Sequence, residues 1–181
     1  MTHIVGIAGS LRRNSYNLGL LRAAEALMPD GATLEVRTIA GIPLYNADDE
    51  AAGIPPAVTA LKDAVAAADG VVLATPEYNN GIPGVFKNAI DWMSRPPADI
   101  ARVFTGKPVA VLGASPGPFG TTLSQAAWLP VLRLVGTRPW YGARLAVASA
   151  GKVFDGDGQL TDAAVREQLR TFMAGFVKSI S

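Results

Sequence analysis

The sequence predicts an α/β protein, a three-layer α/β/α sandwich around a parallel sheet of five strands. Apolar runs rich in Val and Ile recur at Ile4–Ala8, Leu34–Ile39, Val71–Ala74, Val109–Leu112 and Leu145–Ala148, and stretches of helical periodicity separate several of them. The runs are continuous instead of alternating, as expected of parallel strands covered by helices on both faces. At 181 residues the chain is about one domain's worth, so residues 1–181 are expected to form one unit.

In order along the chain, the first strand, His3–Ala8, leads through Gly9-Ser-Leu-Arg-Arg-Asn-Ser-Tyr-Asn17 into a helix with Leu20, Leu21, Ala24, Leu27 and Met28 on one face. The second strand is followed by a long loop, Ala40–Pro56. Pro55-Pro56 opens the next helix, whose buried face is Val58, Leu61 and Val65. Beyond the third and fourth strands, Pro130 interrupts a helical pattern between Thr121 and Leu134 and is expected to kink or split it. A turn-rich stretch, Val153–Leu160, contains Asp155-Gly and Asp157-Gly. Thr161 is the expected cap of a last helix, in which Val165, Leu169, Phe172, Met173, Phe176 and Ile180 form a stripe at 3.6-residue spacing.

Composition narrows the chemistry. Sixteen basic against fifteen acidic residues give a net charge of +1, so nothing in the balance points to nucleic acid or to an anionic membrane. The amino-terminal sequence has no basic segment ahead of its short apolar run, and no apolar segment is long enough to span a bilayer; a cytoplasmic protein is expected. The absence of cysteine excludes disulfides, thiolate metal sites and cysteine nucleophiles. With His3 the only histidine, a protein-held transition metal is not expected either, so any redox chemistry belongs to an organic cofactor.

The Gly9–Asn17 stretch has the architecture of a phosphate cradle. At a strand-to-helix junction the first helical N–H groups have no intrahelical partner and the helix dipole adds positive charge. Ser10, Arg12, Ser15 and Asn17 supply further donors. The dinucleotide fingerprint would need two more glycines, where this chain has Leu11 and Asn14, and no Gly-Lys-Ser/Thr follows. A terminal monophosphate suits this loop better than a pyrophosphate. In an open parallel sheet the ligand lies beyond the carboxyl ends of the strands, so Thr75–Gly84 and Gly113–Gly120 should converge on the same crevice. Gly113-Ala-Ser115-Pro-Gly117 also fits the Gly-x-Ser-x-Gly nucleophile elbow. Pro116 has no N–H to serve as oxyanion donor, however, and His3 lies at the opposite end of the sheet.

Together, Gly9-Ser-Leu-Arg-x-x-Ser-x-Asn17, Ile42-Pro-Leu-Tyr-Asn46, Pro76-Glu-Tyr-Asn79, Lys87-Asn-Ala-Ile-Asp-Trp92 with Ser94-Arg-Pro96, Phe104-x-Gly-Lys-Pro108 and Phe154-Asp-x-x-Gly-x-Leu-Thr-Asp162 resemble the NAD(P)H-dependent FMN reductases. This flavodoxin-like group includes quinone, azo-dye and chromate reductases. The resemblance implies a sheet of order 2-1-3-4-5, FMN as cofactor, NADPH or NADH as co-substrate, and a homodimer or homotetramer. It implies that Ser10, Arg12, Ser15 and Asn17 hold the FMN phosphate. Pro76, Glu77, Tyr78 and Asn79 would lie along the flavin ring, chiefly through backbone groups, and Ser115 and Gly117 would border the ribityl chain or ring. The chain departs from the family pattern at Pro116, Pro118 and Pro130.

Arg13 is expected in solvent. Trp92, Tyr45, Trp140 and Tyr141 are expected in core or interface, and Asp91 and Glu77 have no catalytic role, because a flavin needs no acid for hydride transfer. The implied activity is ping-pong reduction of a quinone, flavin, azo compound or oxyanion. The alternative is a flavodoxin-type electron carrier, although such carriers are typically acidic and have Thr- and Gly-rich phosphate loops.

Overall fold

The computed structural model describes residues 1–180. Four strands, β1 (Thr2–Ala8), β2 (Ala32–Thr38), β3 (Gly70–Ala74) and β4 (Pro108–Ala114), run parallel in the order β2-β1-β3-β4. The fifth position is shared by β5 (Arg138–Pro139) and β6 (Leu145–Val147), both parallel to β4, so the expected order holds but its last strand is broken in two. The break lies next to Trp140, whose ring centroid is 5.0 Å from that of Phe172 and 5.6 Å from that of Phe176.

Side chains alternate across the sheet as the pleat requires. Ile4 and Ala8 of β1, Val72 of β3 and Leu112 of β4 face α1 (Tyr16–Glu25) and α7 (Ala163–Ile180). Val5, Ile7, Val71, Leu73 and Val109 face α3 (Pro56–Ala67), α4 (Gly84–Met93) and α6 (Thr122–Leu134). Burial of both faces explains the unbroken apolar runs of β1, β3 and β4. The edge strand β2 differs: only Leu34 is buried, and Glu35 is ion-paired with Arg37 and lies 3.4 Å from His3.

Four details correct or complete the sequence reading. The Ala40–Pro56 loop contains a short helix, α2 (Ala47–Ala52), capped where the Asn46 side chain accepts from the Asp48 N–H at 3.0 Å, with Asp48, Asp49 and Glu50 in its first turn. A second short helix, α5 (Asp99–Val103), follows α4. Helix α6 is not split by Pro130; the carbonyl left without a donor belongs to Ala126, an exposed residue where water can serve it. Asp162, not Thr161, caps α7, accepting from the Val165 N–H at 2.8 Å, while the Thr161 hydroxyl donates to the Val153 carbonyl.

The register aligns the strand ends. Ala8 sits opposite Ala74, and Ala74 opposite Leu112, so the loops after β1, β3 and β4 leave the sheet side by side. The chain runs outward to β2 from β1 and to β4 from β3, which makes the β1/β3 boundary the point where a ligand crevice forms. Among the described residues, no helix is long and apolar enough to cross a membrane.

Candidate functional site

The first wall of the crevice is the loop from Gly9 to Ser15. Gly9 continues the sheet by donating its N–H to Ala74 at 2.9 Å, and a Cβ there would stand 2.0 Å from the Phe86 ring, so only glycine permits this approach of β1 to α4. Ser10 and Ser15 are both nearly buried. The Ser10 Oγ accepts from the Arg12 N–H at 3.2 Å, and the Ser15 Oγ caps α1 by accepting from the Leu18 N–H at 3.5 Å. Neither hydroxyl proton has an acceptor among the described residues, nor have the N–H groups from Arg13 through Asn17. Arg12 is exposed, with its guanidinium 5.4 Å from the Tyr16 ring centroid and no ion pair among the described residues.

Asn17 is placed differently from the sequence reading, which gave its side chain to the phosphate. That side chain is buried and spans to β4, donating to the Ala114 carbonyl and accepting from the Ala114 N–H, both at 2.9 Å. It is a strut between the first and third loops, and only its backbone N–H remains at the cradle. Arg13 lies in solvent.

The second wall is Thr75–Gly84. Tyr78 and Gly81 exchange backbone hydrogen bonds around Asn79 and Asn80, both left-handed at φ 50° and 61°, which is a type I′ turn built without glycine at its centre. Asparagine is the residue that tolerates this region best after glycine. The loop is fastened from behind. Thr75 Oγ1 donates to the Pro76 carbonyl at 2.9 Å and accepts from Trp128 Nε1 at 3.0 Å and from Ser124 Oγ at 2.8 Å, which uses the full capacity of a hydroxyl. The Glu77 carboxylate is spent on α6, accepting from the Leu123 and Ser124 N–H groups.

The third wall, Ser115–Gly120, follows β4. Gly113, two residues before Ser115, cannot carry a Cβ, which would meet the Thr75 carbonyl at 2.1 Å. Ser115 donates its hydroxyl to the Gly120 carbonyl at 2.7 Å, and the Gly117 carbonyl accepts from the Ser149 N–H at 3.0 Å. A serine whose proton is committed to a carbonyl, next to Pro116 and with His3 beside Thr33 and Glu35 at the other end of the sheet, is no nucleophile. The arrangement can receive an anion at its first loop, and among the described residues no histidine or free nucleophile stands beside Ser115.

A second polar cluster ties the loop after β2 to α4. Glu50 accepts from Tyr45 Oη and from Arg95 Nε, each at 2.8 Å; Tyr45 N–H and Asn88, and Asn88 and Trp92 with the Pro43 carbonyl, complete it. The Arg95 guanidinium, followed by the Tyr45 hydroxyl, holds the Glu50 carboxyl below the usual carboxylate range, and the same contact raises the Tyr45 phenol. Trp92 is thus core, as expected, and Tyr141 is exposed.

Sequence reasoning brings Ser10, Arg12 and Ser15 together at one cradle and puts the other two loops beside it. It misses Thr75, Ser124 and Trp128, whose partnership has no local signal because it joins residues 49 to 53 positions apart.

The donors at the cradle, two hydroxyl protons and a run of N–H groups without acceptors among the described residues, together with an exposed arginine, fit a phosphate ester. Residues 2–152 match the family model described as NADPH-dependent FMN reductase. The chain is 45% identical to a Pseudomonas aeruginosa protein named NAD(P)H-dependent FMN reductase, over 92% of this chain and 89% of that one. It is 35% identical to a 2-hydroxy-1,4-benzoquinone reductase of a Burkholderia species, over 94% and 91% of the two chains. Its fold matches FerB, a flavoenzyme NAD(P)H:(acceptor) oxidoreductase of Paracoccus denitrificans, with a TM-score of 0.86 and 35% identity over 99% and 97% of the chains. Cradle, sheet order and sequence agree, and the chain belongs to the NADPH-dependent FMN reductase family.

Proposed function

We propose that this FMN-dependent oxidoreductase takes hydride from NAD(P)H and passes it to a quinone or flavin by a ping-pong route, with both substrates using the one crevice in turn. The carrying observation is the set of donors at the first loop, the Ser10 and Ser15 hydroxyl protons and the N–H groups from Arg13 through Asn17, which have no acceptor among the described residues. FMN, when bound, supplies the hydride chemistry. Ser10, Ser15 and Arg12, with the N–H groups through Asn17, would hold its phosphate. Pro76, Glu77, Tyr78 and Asn79 would border the ring through backbone groups fixed by the Thr75 and Glu77 contacts, and Ser115 and Gly117 would close the ribityl side. The half-exposed Tyr78 ring and the exposed Phe119 would give a planar acceptor apolar surface at the mouth. Azo compounds and oxyanions belong to the same reading as further acceptors.

The family's description supports NADPH over NADH as the preferred donor. Residues 1–181 act in this reading as one unit in the cytoplasm, where reduced nicotinamide is at hand. A homodimer or homotetramer is supported by the exposed Leu129, Leu134 and Tyr141 and by the positive mean hydropathy of +0.24; light scattering tests it. The activity is tested by initial rates of NADPH oxidation with 1,4-benzoquinone at several fixed concentrations of each. Parallel double-reciprocal lines are expected. Converging lines would refute the shared crevice, and no turnover by FMN-loaded protein would favour a flavodoxin-type carrier.

A further inference from the structure

Helix α6 begins without a cap of its own, since Thr121 makes no side-chain hydrogen bond to the helix start. The cap comes from a different loop. Glu77, 46 positions upstream, accepts with one oxygen, Oε2, from the Leu123 N–H at 2.8 Å and the Ser124 N–H at 2.9 Å. Thr75, two residues before it, already fastens the same loop to Ser124 and Trp128 through neutral hydrogen bonds. Glutamine could make the bonds that Glu77 makes, because its amide oxygen accepts equally well. What the carboxylate adds is charge. A helix start carries roughly +0.5 of an elementary charge, and a full negative charge placed on it reverses the sign of that end. Among the described residues no basic side chain pairs with Glu77 to cancel the effect.

We infer that Glu77 is a positioning residue with an electrostatic function: it locks the loop that borders the flavin onto α6, and its negative charge keeps the reduction potential of the bound cofactor low. The inference rests on the reading that the crevice holds FMN. Reduction adds electrons to the ring, so a negative charge at the adjoining wall disfavours the reduced form and makes it the stronger reductant towards a quinone. Without that charge, the free end of α6 would favour the reduced form.

The test is the midpoint potential of FMN bound to the parent, to Glu77→Gln and to Leu123→Asp, with dissociation constants for oxidised and reduced FMN. Glu77→Gln retains the cap and removes the charge. Leu123 is exposed in the first turn of α6, and aspartate there adds a charge without removing any side-chain hydrogen bond. Glu77→Gln should raise the affinity for reduced FMN relative to oxidised FMN by roughly three- to tenfold, tenfold being about 30 mV upward for a two-electron couple. Leu123→Asp should move the ratio the other way. A cap with no electrostatic function would change thermal stability and leave both potentials at the parental value, which overturns the proposal. Should Glu77→Gln not fold, Leu123→Asp alone decides. A parent that retains no FMN would overturn the cofactor reading and this inference with it, whereas one that binds FMN with unmoved variants overturns this inference alone.

Discussion

Replacing Asn17 by alanine separates the two roles that a polar residue at the start of α1 can have. In the structure both polar atoms of its side chain are spent on the backbone of Ala114, at 2.9 Å each, and both residues are buried. Asn17→Ala therefore strands a buried N–H and a buried C=O. Each such group costs about 1–3 kcal/mol, so the loss for the two should be roughly 2–6 kcal/mol. For a chain of this size, 1 kcal/mol corresponds to about 2–4 °C in Tm, and the predicted fall is roughly 4–24 °C. The assay is urea unfolding of the cofactor-free protein followed by circular dichroism, with a lower midpoint at an unchanged slope. Asn17→Asp should destabilise as well, because it sets a carboxylate oxygen against the Ala114 carbonyl. An unchanged urea midpoint together with abolished FMN binding would refute the reasoning, since it would assign the side chain to the cofactor and not to the frame.

Arg12→Ala should do the opposite, raising the FMN dissociation constant roughly tenfold by loss of a charge-assisted contact and leaving the urea midpoint in place; equal flavin content in mutant and parent would contradict it. Thr75→Val removes the acceptor of Trp128 Nε1–H and Ser124 Oγ–H and should cost about 2–4 kcal/mol, read as a lower urea midpoint. Glu50 is held below the usual carboxylate range chiefly by Arg95, and Asp99 chiefly by its hydrogen bond from Lys62. A depressed folded-state value contributes stability above the unfolded carboxylate range of about 4 that is lost as pH falls through the folded-state value. Asp99→Asn should therefore show a stability deficit at pH 6 that closes below about pH 4, and a deficit constant with pH would contradict the pairing.

Much of the fold was legible because its causes are local. Continuous burial on both faces wrote β1, β3 and β4 as unbroken apolar runs, and Ser15 announced the start of α1 through its own cap. The fifth strand was only half legible, since Arg138–Pro139 has neither length nor apolar character and is a strand only because β4 offers it partners. Helix α2 had a readable signal in Asn46 followed by three acids, which the surrounding proline- and alanine-rich loop obscured. At the site, the cradle was read from Gly9, Ser10 and Ser15. The direction of the Asn17 side chain was not, because it is set by Ala114 at 97 positions' distance. The Glu77 carboxylate was similarly hidden, for its partners lie in a helix that only the fold brings near.

The most direct test is an anaerobic titration of purified, FMN-equilibrated protein with NADPH, followed by visible absorbance and by identification of the cofactor released on denaturation. The account predicts a bound flavin band that bleaches within the mixing time and returns on addition of 1,4-benzoquinone, with FMN as the released species. Protein that binds no FMN, or a bound band that persists in excess NADPH, would contradict it.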